Sequence, residues 1–277
     1  MDFDALRLRL FAWSEKLTDA VSNRSRRLLP LVARLCLTAT FLEDALRTWQ
    51  QFFEQLVYLQ IELNCSEMLS ILIVVVNLFG QLLGSLLILL RVWVNVAVTL
   101  LASLVLLQLH MHMEPWQLHL LLRNFALLGG LLLLHVDAQE TAAACRNCAG
   151  AGAGVPLLIN RRPQHLMRLA GRILLACMYL TLLRLGQGLE ALAFNGLGLL
   201  LMTLIVLGYR TRLAALTLAL VLILWNLYWH AWWLVHDPSR DVLKYYYFHT
   251  LSVVGGLLLL VVLGPGHVSL EQYKKHW

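Results

Sequence analysis

Charged side chains are scarce in this chain. Only 14% of its 277 residues are Asp, Glu, Lys or Arg, where an ordinary soluble domain carries about 25%. With 60% hydrophobic residues and a mean hydropathy of +0.70, a water-soluble particle of this size would lack the polar surface to cover its interior. The low hydrophobicity and high net charge of a disordered chain are missing as well. A polytopic membrane protein is what remains. Catalytic motifs are equally thin: no Gly-rich phosphate loop, nucleophile elbow or pair of catalytic carboxylates set across helices is found. His110 and His112 are two residues apart and point to different helix faces, so the ten His suggest neither haem nor metal. No cofactor and no enzymatic activity are expected. The five cysteines, at 36, 65, 145, 148 and 177, are odd in number and scattered, so no disulfide framework is read. A basic stripe interleaved with aromatics is absent despite the net charge of +6, which removes nucleic acid as an expected partner. The acid-led N-terminal stretch has no apolar core leading to a small-residue site, so no cleavable signal is expected.

Long apolar runs are what the sequence has in abundance. Five stretches reach or approach the roughly 20 residues needed to cross a bilayer without any Asp, Glu, Lys or Arg. They are Met68–Leu90, Val92–Met113, Ala191–Tyr209, Leu213–His236 and Tyr245–Leu270. Leu29–Phe53, Trp116–Val136 and Gln164–Leu185 have the apolar content but carry charges. The expectation is an all-α membrane protein of eight transmembrane helices. An even number puts both termini on one side. Placing the N-terminal arm, Arg91, the 137–172 segment, the Arg210/Arg212 turn and the tail together collects seventeen of the 22 Lys and Arg. The positive-inside rule makes that side cytosolic.

The two halves resemble each other. Asn124-Phe-Ala-Leu-Leu-Gly-Gly-Leu-Leu-Leu-Leu is echoed by His249-Thr-Leu-Ser-Val-Val-Gly-Gly-Leu-Leu-Leu-Leu, and Arg34 by Arg172. Two parallel four-helix repeats follow, since four spans return the chain to its starting side. The organisation reads as a cytosolic amphipathic arm (1–28), a first membrane repeat (29–136), a flexible Ala/Gly-rich connector (137–163), a second repeat (164–265) and a cytosolic tail (266–277). In the arm, Phe3, Leu6, Leu10, Trp13 and Leu17 share one helical face beside basic residues, which suits either the anionic leaflet or packing on the bundle. Cys145-x-x-Cys148 lacks the further ligands of a zinc site and the βαβ context of a redox pair, so inert linker thiols or S-acylation are expected. Of the two sequons, Asn23 falls on the cytosolic side and Asn64 sits too near helix 2 for efficient glycosylation.

Glu43, Asp44 and Arg47 lie well into the first helix, where each ionisable group costs roughly 2.5–3.5 kcal/mol near the centre. Their spacing puts them on one face, as an interhelical clamp or as part of a ligand site. Arg123 and Asn124 of the fourth helix are the expected partners. The seventh helix ends in Trp225, Trp229, Trp232 and Trp233, followed by Lys244 and Tyr245. These aromatics read as an interfacial belt or as a luminal groove for an apolar peptide or lipid. His110, His112 and His119 fall near the luminal side and are candidates for sensing acidification. The last four residues, Lys274-Lys275-His276-Trp277, carry a dilysine retrieval signal of the kind read by the COPI coat.

As a whole the sequence resembles the surfeit locus protein 4 family of endoplasmic-reticulum cargo receptors from about Leu29 onward. The residues that carry the likeness are LPLVARLCLTATFLEDALRTW (29–49), NLFGQLLGSLLIL (77–89), LRNFALLGGLLLL (122–134), RTRLAALTLALVL (210–222) and the segment from Asp241 to the dilysine tail. The resemblance implies a receptor cycling between the endoplasmic reticulum, the intermediate compartment and the Golgi. Such a receptor captures soluble secretory proteins in the lumen, enters COPII vesicles and returns through COPI. The implied partners are cargo, the two coats and the lipid bilayer, with self-association into a homo-oligomer left open. Candidate cargo or ligand residues are Glu43, Asp44, Arg47, Arg123, Asn124, Trp229, Trp232, Trp233, Lys244 and Tyr245; Lys274 and Lys275 form the retrieval signal. A lipid or small-molecule transporter on the same repeat is the main rival, followed by a redox subunit akin to the DoxX-like membrane proteins, whose four-helix unit looks similar.

Overall fold

The computed structural model describes residues 28–62, 66–111, 118–150, 162–182, 189–234 and 240–264. Among these the secondary structure is helical throughout, with no strand. The α-helices are α1 (Leu28–Gln50), α2 (Phe52–Glu62), α3 (Glu67–Leu90), α4 (Val94–Met111), α5 (Leu118–Gly150), α6 (Arg162–Leu182), α7 (Leu189–Leu207), α8 (Thr211–Trp229) and α9 (Arg240–Leu263). A 3-10 turn at Trp232–Leu234 joins α8 to α9. Each of the eight expected apolar segments contains an α-helix among its described residues. Three spans among the described residues are long and apolar enough to cross a membrane: Glu67–Leu90, Thr211–Leu234 and Arg240–Leu263. Many large apolar side chains on the helix surfaces are exposed, including Leu72, Phe79, Leu86, Leu200 and Leu224. A bilayer is the solvent that such a surface suits.

The most buried helix is α9, packed against α1, α8 and α5. Its Gly255 makes that approach close. A Cβ there would sit 2.8 Å from both the carbonyl oxygen of Ala33 and the backbone nitrogen of Leu37. Gly129 does the same for the pairing of α5 with α6, where a Cβ would meet Cβ of Leu174 at 2.6 Å and the carbonyl of Gly171 at 3.2 Å. Without a side chain the two backbones come together and their van der Waals contacts hold the pair, as small residues do in membranes. The following glycines face Leu37 (Gly130) and Leu175 (Gly256).

At one end of the bundle, called here the Arg34 end, ions are paired under cover. Arg34 Nη2 donates to Asp137 Oδ2 at 2.5 Å, with both side chains at least nine-tenths buried. Arg172 reaches the carbonyl of Gly264, Arg168 reaches that of Leu263, and Arg168 also pairs with Glu140. Asp137 therefore belongs to the packed bundle, and α5 continues to Gly150. This corrects the expectation of a flexible segment from 137. The Glu140-Thr-Ala-Ala-Ala stretch has high helix propensity, and its first turn is anchored by the buried pair. The stretch between the first two expected spans, which carries Glu54 and Glu62, is also helix: α2 folds back against α3. Residues 1–27, Cys65, Asn64, His112, Arg184, Lys274 and Lys275 lie outside the described residues.

Candidate functional site

At the opposite end, α1, α8 and α9 bring a set of polar and aromatic side chains together. Glu43 and Asp44 are both 4% exposed, where bare carboxylates are costly and a partner is required. Arg47 supplies one, donating from Nη2 to Asp44 Oδ1 at 2.6 Å one helical turn on. The same guanidinium lies 5.0 Å from the ring centroid of Tyr245 on α9, a cation–π contact. Tyr245 in turn stacks on the buried His249 with centroids 6.0 Å apart. Thr40 on α1 donates to the carbonyl of Phe248 at 2.9 Å, which fixes the register of α1 on α9 at this level. Thr48 returns its hydroxyl to the Asp44 carbonyl at 2.8 Å.

Asn124 on α5 reaches the same level. Leu37 faces Gly130 and Arg34 faces Asp137, so α1 and α5 run antiparallel. Glu43 is six residues beyond Leu37, and Asn124 six before Gly130. At 1.5 Å per residue, both stand about 9 Å further toward the Arg47 end. Asn124 is buried and its Oδ1 has no hydrogen-bond partner. Arg123 is its backbone neighbour.

A second polar group lies on α8. Asn226 donates from Nδ2 to the Tyr247 carbonyl at 3.0 Å, while its Oδ1 meets Nδ1 of His230 at 2.8 Å. His230 caps the end of α8 and stacks on Tyr246 at 6.0 Å. The helix stops there, so Trp225 and Trp229 share its aromatic face and Trp233 does not. Trp225 stacks between Phe194 of α7, at 4.0 Å, and Trp229, at 5.5 Å. Trp233 instead turns with the 3-10 segment and meets Tyr247 edge-on at 5.9 Å. Trp232 receives Arg240 over its ring at 5.3 Å. Lys244 is half-buried on the first turns of α9.

Thr40, Asn226, His230 and His249 were missed in reading the sequence. Each is a polar residue embedded in an apolar run, which is the available signal. Also missed was a cavity of about 430 Å³ between α2, α3 and α4. It is lined by Glu54, Gln55, Tyr58, Asn77 and Gln108 among apolar neighbours. Asn77 Oδ1 accepts there from both Gln81 and Gln108 at 3.3 Å. Among the described residues no group of three or more His, Cys, Asp or Glu is placed to hold a metal ion.

Taken chemically, the Arg47 end offers buried carboxylates, one paired cation, amide groups and a large aromatic surface. That set suits a ligand with both polar backbone and apolar side chains. Residues 9–277 match the model of the SURF4 family. The chain belongs to the SURF4 family. A surfeit locus protein 4 homolog of Drosophila melanogaster is 44% identical over 268 residues, covering 96% of this SURF4-family chain and 97% of the relative. A homolog of the same description from Schizosaccharomyces pombe is 31% identical, covering 89% and 82%. The ER-derived vesicles protein ERV29 of Saccharomyces cerevisiae is 29% identical over 94% of this chain and 82% of its own length. No solved structure matches.

Proposed function

We propose that this SURF4-family member is a cargo receptor of ER-derived vesicles. It binds soluble secretory proteins in the lumen and promotes their loading into COPII carriers. Retrieval runs through COPI at Lys274 and Lys275. The observation that carries the reading is the family match over residues 9–277, joined by a yeast relative described as an ER-derived vesicles protein.

In the proposed topology eight helices cross the membrane as two parallel four-helix repeats, with α2 as an insertion. Three features support it. Gly255 meets Ala33, Cys36 and Leu37 on α1, while Gly129 meets Gly171, Leu174 and Leu175 on α6, a one-to-one exchange between the halves. Gly129 follows Arg34 by 95 residues and Gly255 follows Arg172 by 83. The difference is close to the 11 residues of α2. Third, Arg91, Arg210 and Arg212 lie in or beside turns at the Arg34 end, and Arg168 and Arg172 reach the Leu263 and Gly264 carbonyls at the end of α9 there; the positive-inside rule assigns that end to the cytosol. The Arg47 end is then luminal.

Cargo is received at that luminal end. Glu43, Asp44, Arg47, Arg123, Asn124, Lys244 and Tyr245 supply polar contacts to an extended segment, and Trp229, Trp232 and Trp233 take its apolar anchor. Trp229→Ala is expected to lower cargo co-purification without changing receptor abundance.

The test is a quantitative secretome of cells depleted of the protein, rescued by wild type or by a Lys274→Ser/Lys275→Ser variant. Retention of a defined set of soluble proteins, reversed by wild type, supports the receptor. Failure of the double variant to sustain rescue assigns retrieval to the two lysines. Unchanged secretion with altered membrane lipid composition would replace this reading with a transporter.

A further inference from the structure

A cleft of about 760 Å³ opens at the Arg34 end between the start of α1, the α3–α4 turn and α5. We infer that it is a binding site for an anionic phosphate group, of the kind carried by phospholipid headgroups. Three independent features converge there. Arg34 lines the cleft and is only 5% exposed, yet its Nε has no hydrogen-bond partner. The Nη2 of the same guanidinium is engaged by Asp137, so the pair fixes a cation in the wall of the cleft. Arg91, on the wall, is exposed and occupies the left-handed region at φ 58° as the C-cap of α3. Finally, Val94, Asn95 and Val96, the first turn of the 18-residue α4, line the cleft. Val96 already donates its N–H to the Trp93 carbonyl at 2.9 Å, while the N–H groups of Val94 and Asn95 precede any intrahelical acceptor and the helix dipole there favours an anion.

The charges facing the space are Arg34, Arg91 and Asp137, a net of one positive charge. Thr141 and Asn95 add neutral polar groups, and Trp93, 75% exposed, flanks the cleft as interfacial tryptophans do. Basic pockets between transmembrane helices on the cytosolic side suit phosphorylated headgroups. The cytosolic assignment of this end rests on the topology proposed above; the binding chemistry does not. The volume exceeds that of a phosphate alone and admits its glycerol or sugar.

The test uses the purified full-length chain in a non-ionic detergent and follows thermal unfolding. The probes are dioctanoyl phosphatidylinositol 4-phosphate, dioctanoyl phosphatidylcholine and inorganic phosphate. The anionic lipid is expected to raise Tm saturably, and Arg91→Gln to weaken its half-saturation about tenfold, the loss of one charge-assisted contact. Arg91 is exposed, so this variant folds even if Arg34→Gln does not. A matching response to inorganic phosphate retains the phosphate site and identifies a free anion as its source. A response confined to the lipid identifies the headgroup in the membrane. No response to either anion, an equal response to phosphatidylcholine, or an unchanged response in Arg91→Gln would overturn the proposal. All of these outcomes are independent of cargo secretion, so failure here leaves the receptor reading standing.

Discussion

Two glycine-to-alanine changes in helices of this bundle should have opposite effects. At Gly255 the added Cβ would lie 2.8 Å from Ala33 O, 2.8 Å from Leu37 N and 3.1 Å from Cys36 Cβ. Two of these neighbours are backbone atoms of α1, so no rotamer change relieves the contact; α1 and α9 must separate. Overpacking of this kind costs about 1–3 kcal/mol, and the helix preference of Ala over Gly returns only about 0.5–1 kcal/mol. A net loss of up to about 2.5 kcal/mol follows. At Gly196, in α7, nothing lies within 4 Å of the added atom, so only the gain of about 0.5–1 kcal/mol remains. The propensity gain is common to both, so the variants should differ by the overpacking cost, about 1–3 kcal/mol. For a chain of this size that corresponds to roughly 2–12 °C in Tm, using about 2–4 °C per kcal/mol. Thermal unfolding of the two purified variants in one detergent measures it. If Gly255→Ala is as stable as Gly196→Ala, close backbone approach does not hold α9 on α1, and the packing argument is refuted.

Asp137→Asn leaves Arg34 buried without its counter-ion and is expected to cost about 3–5 kcal/mol; the Arg34→Met/Asp137→Leu double variant should recover most of the lost Tm. Arg47→Met strips the buried Asp44 of its partner, and since the guanidinium is one-third exposed the expected loss is smaller, about 1–2 kcal/mol. Adding Asp44→Asn should restore stability, and a double-mutant cycle in Tm measures the coupling. Asn226→Leu removes the bonds to Tyr247 and His230 and should lower stability by about 1–2 kcal/mol. Asn226→Asp, which keeps the acceptor but loses the donor to Tyr247, should show a loss in the same assay as well.

The helices were legible because the bilayer imposes length and apolarity together: runs such as Met68–Leu90 differ by one residue from the observed Glu67–Leu90. Segment α2 was not, since Glu54, Gln55, Gln60 and Glu62 give it the polarity of a loop. Its exposed Phe53, Val57 and Ile61, spaced by four, were the helical signal that polarity masked. Asp137 was assigned to a connector because its counter-ion, Arg34, is 103 positions away. No local pattern reports such a pair; only packing of α1 on α5 creates it. The Glu43–Asp44–Arg47 spacing did announce the internal pair, whereas the contact of Arg47 with Tyr245 needed the register that Thr40 sets against Phe248.

The two ends of the bundle use charge differently, and the difference bears on what each does. At the Arg34 end the cations are tied to fixed acceptors: Arg34 to Asp137, Arg168 to Glu140 and Leu263, Arg172 to Gly264. These contacts join α1, α5, α6 and α9 and make that end a rigid clasp. At the Arg47 end, Arg47 is held by one carboxylate and one aromatic face, and it remains one-third exposed. Around it are rings that stack and edge past one another, from Trp233 and Tyr247 to Tyr245 and His249. Aromatic and cation–π contacts are weakly directional compared with a buried ion pair, so they can be exchanged for other contacts at small cost. In the receptor proposed above, the clasp would preserve the relation of the helices while the aromatic end exchanges its contacts.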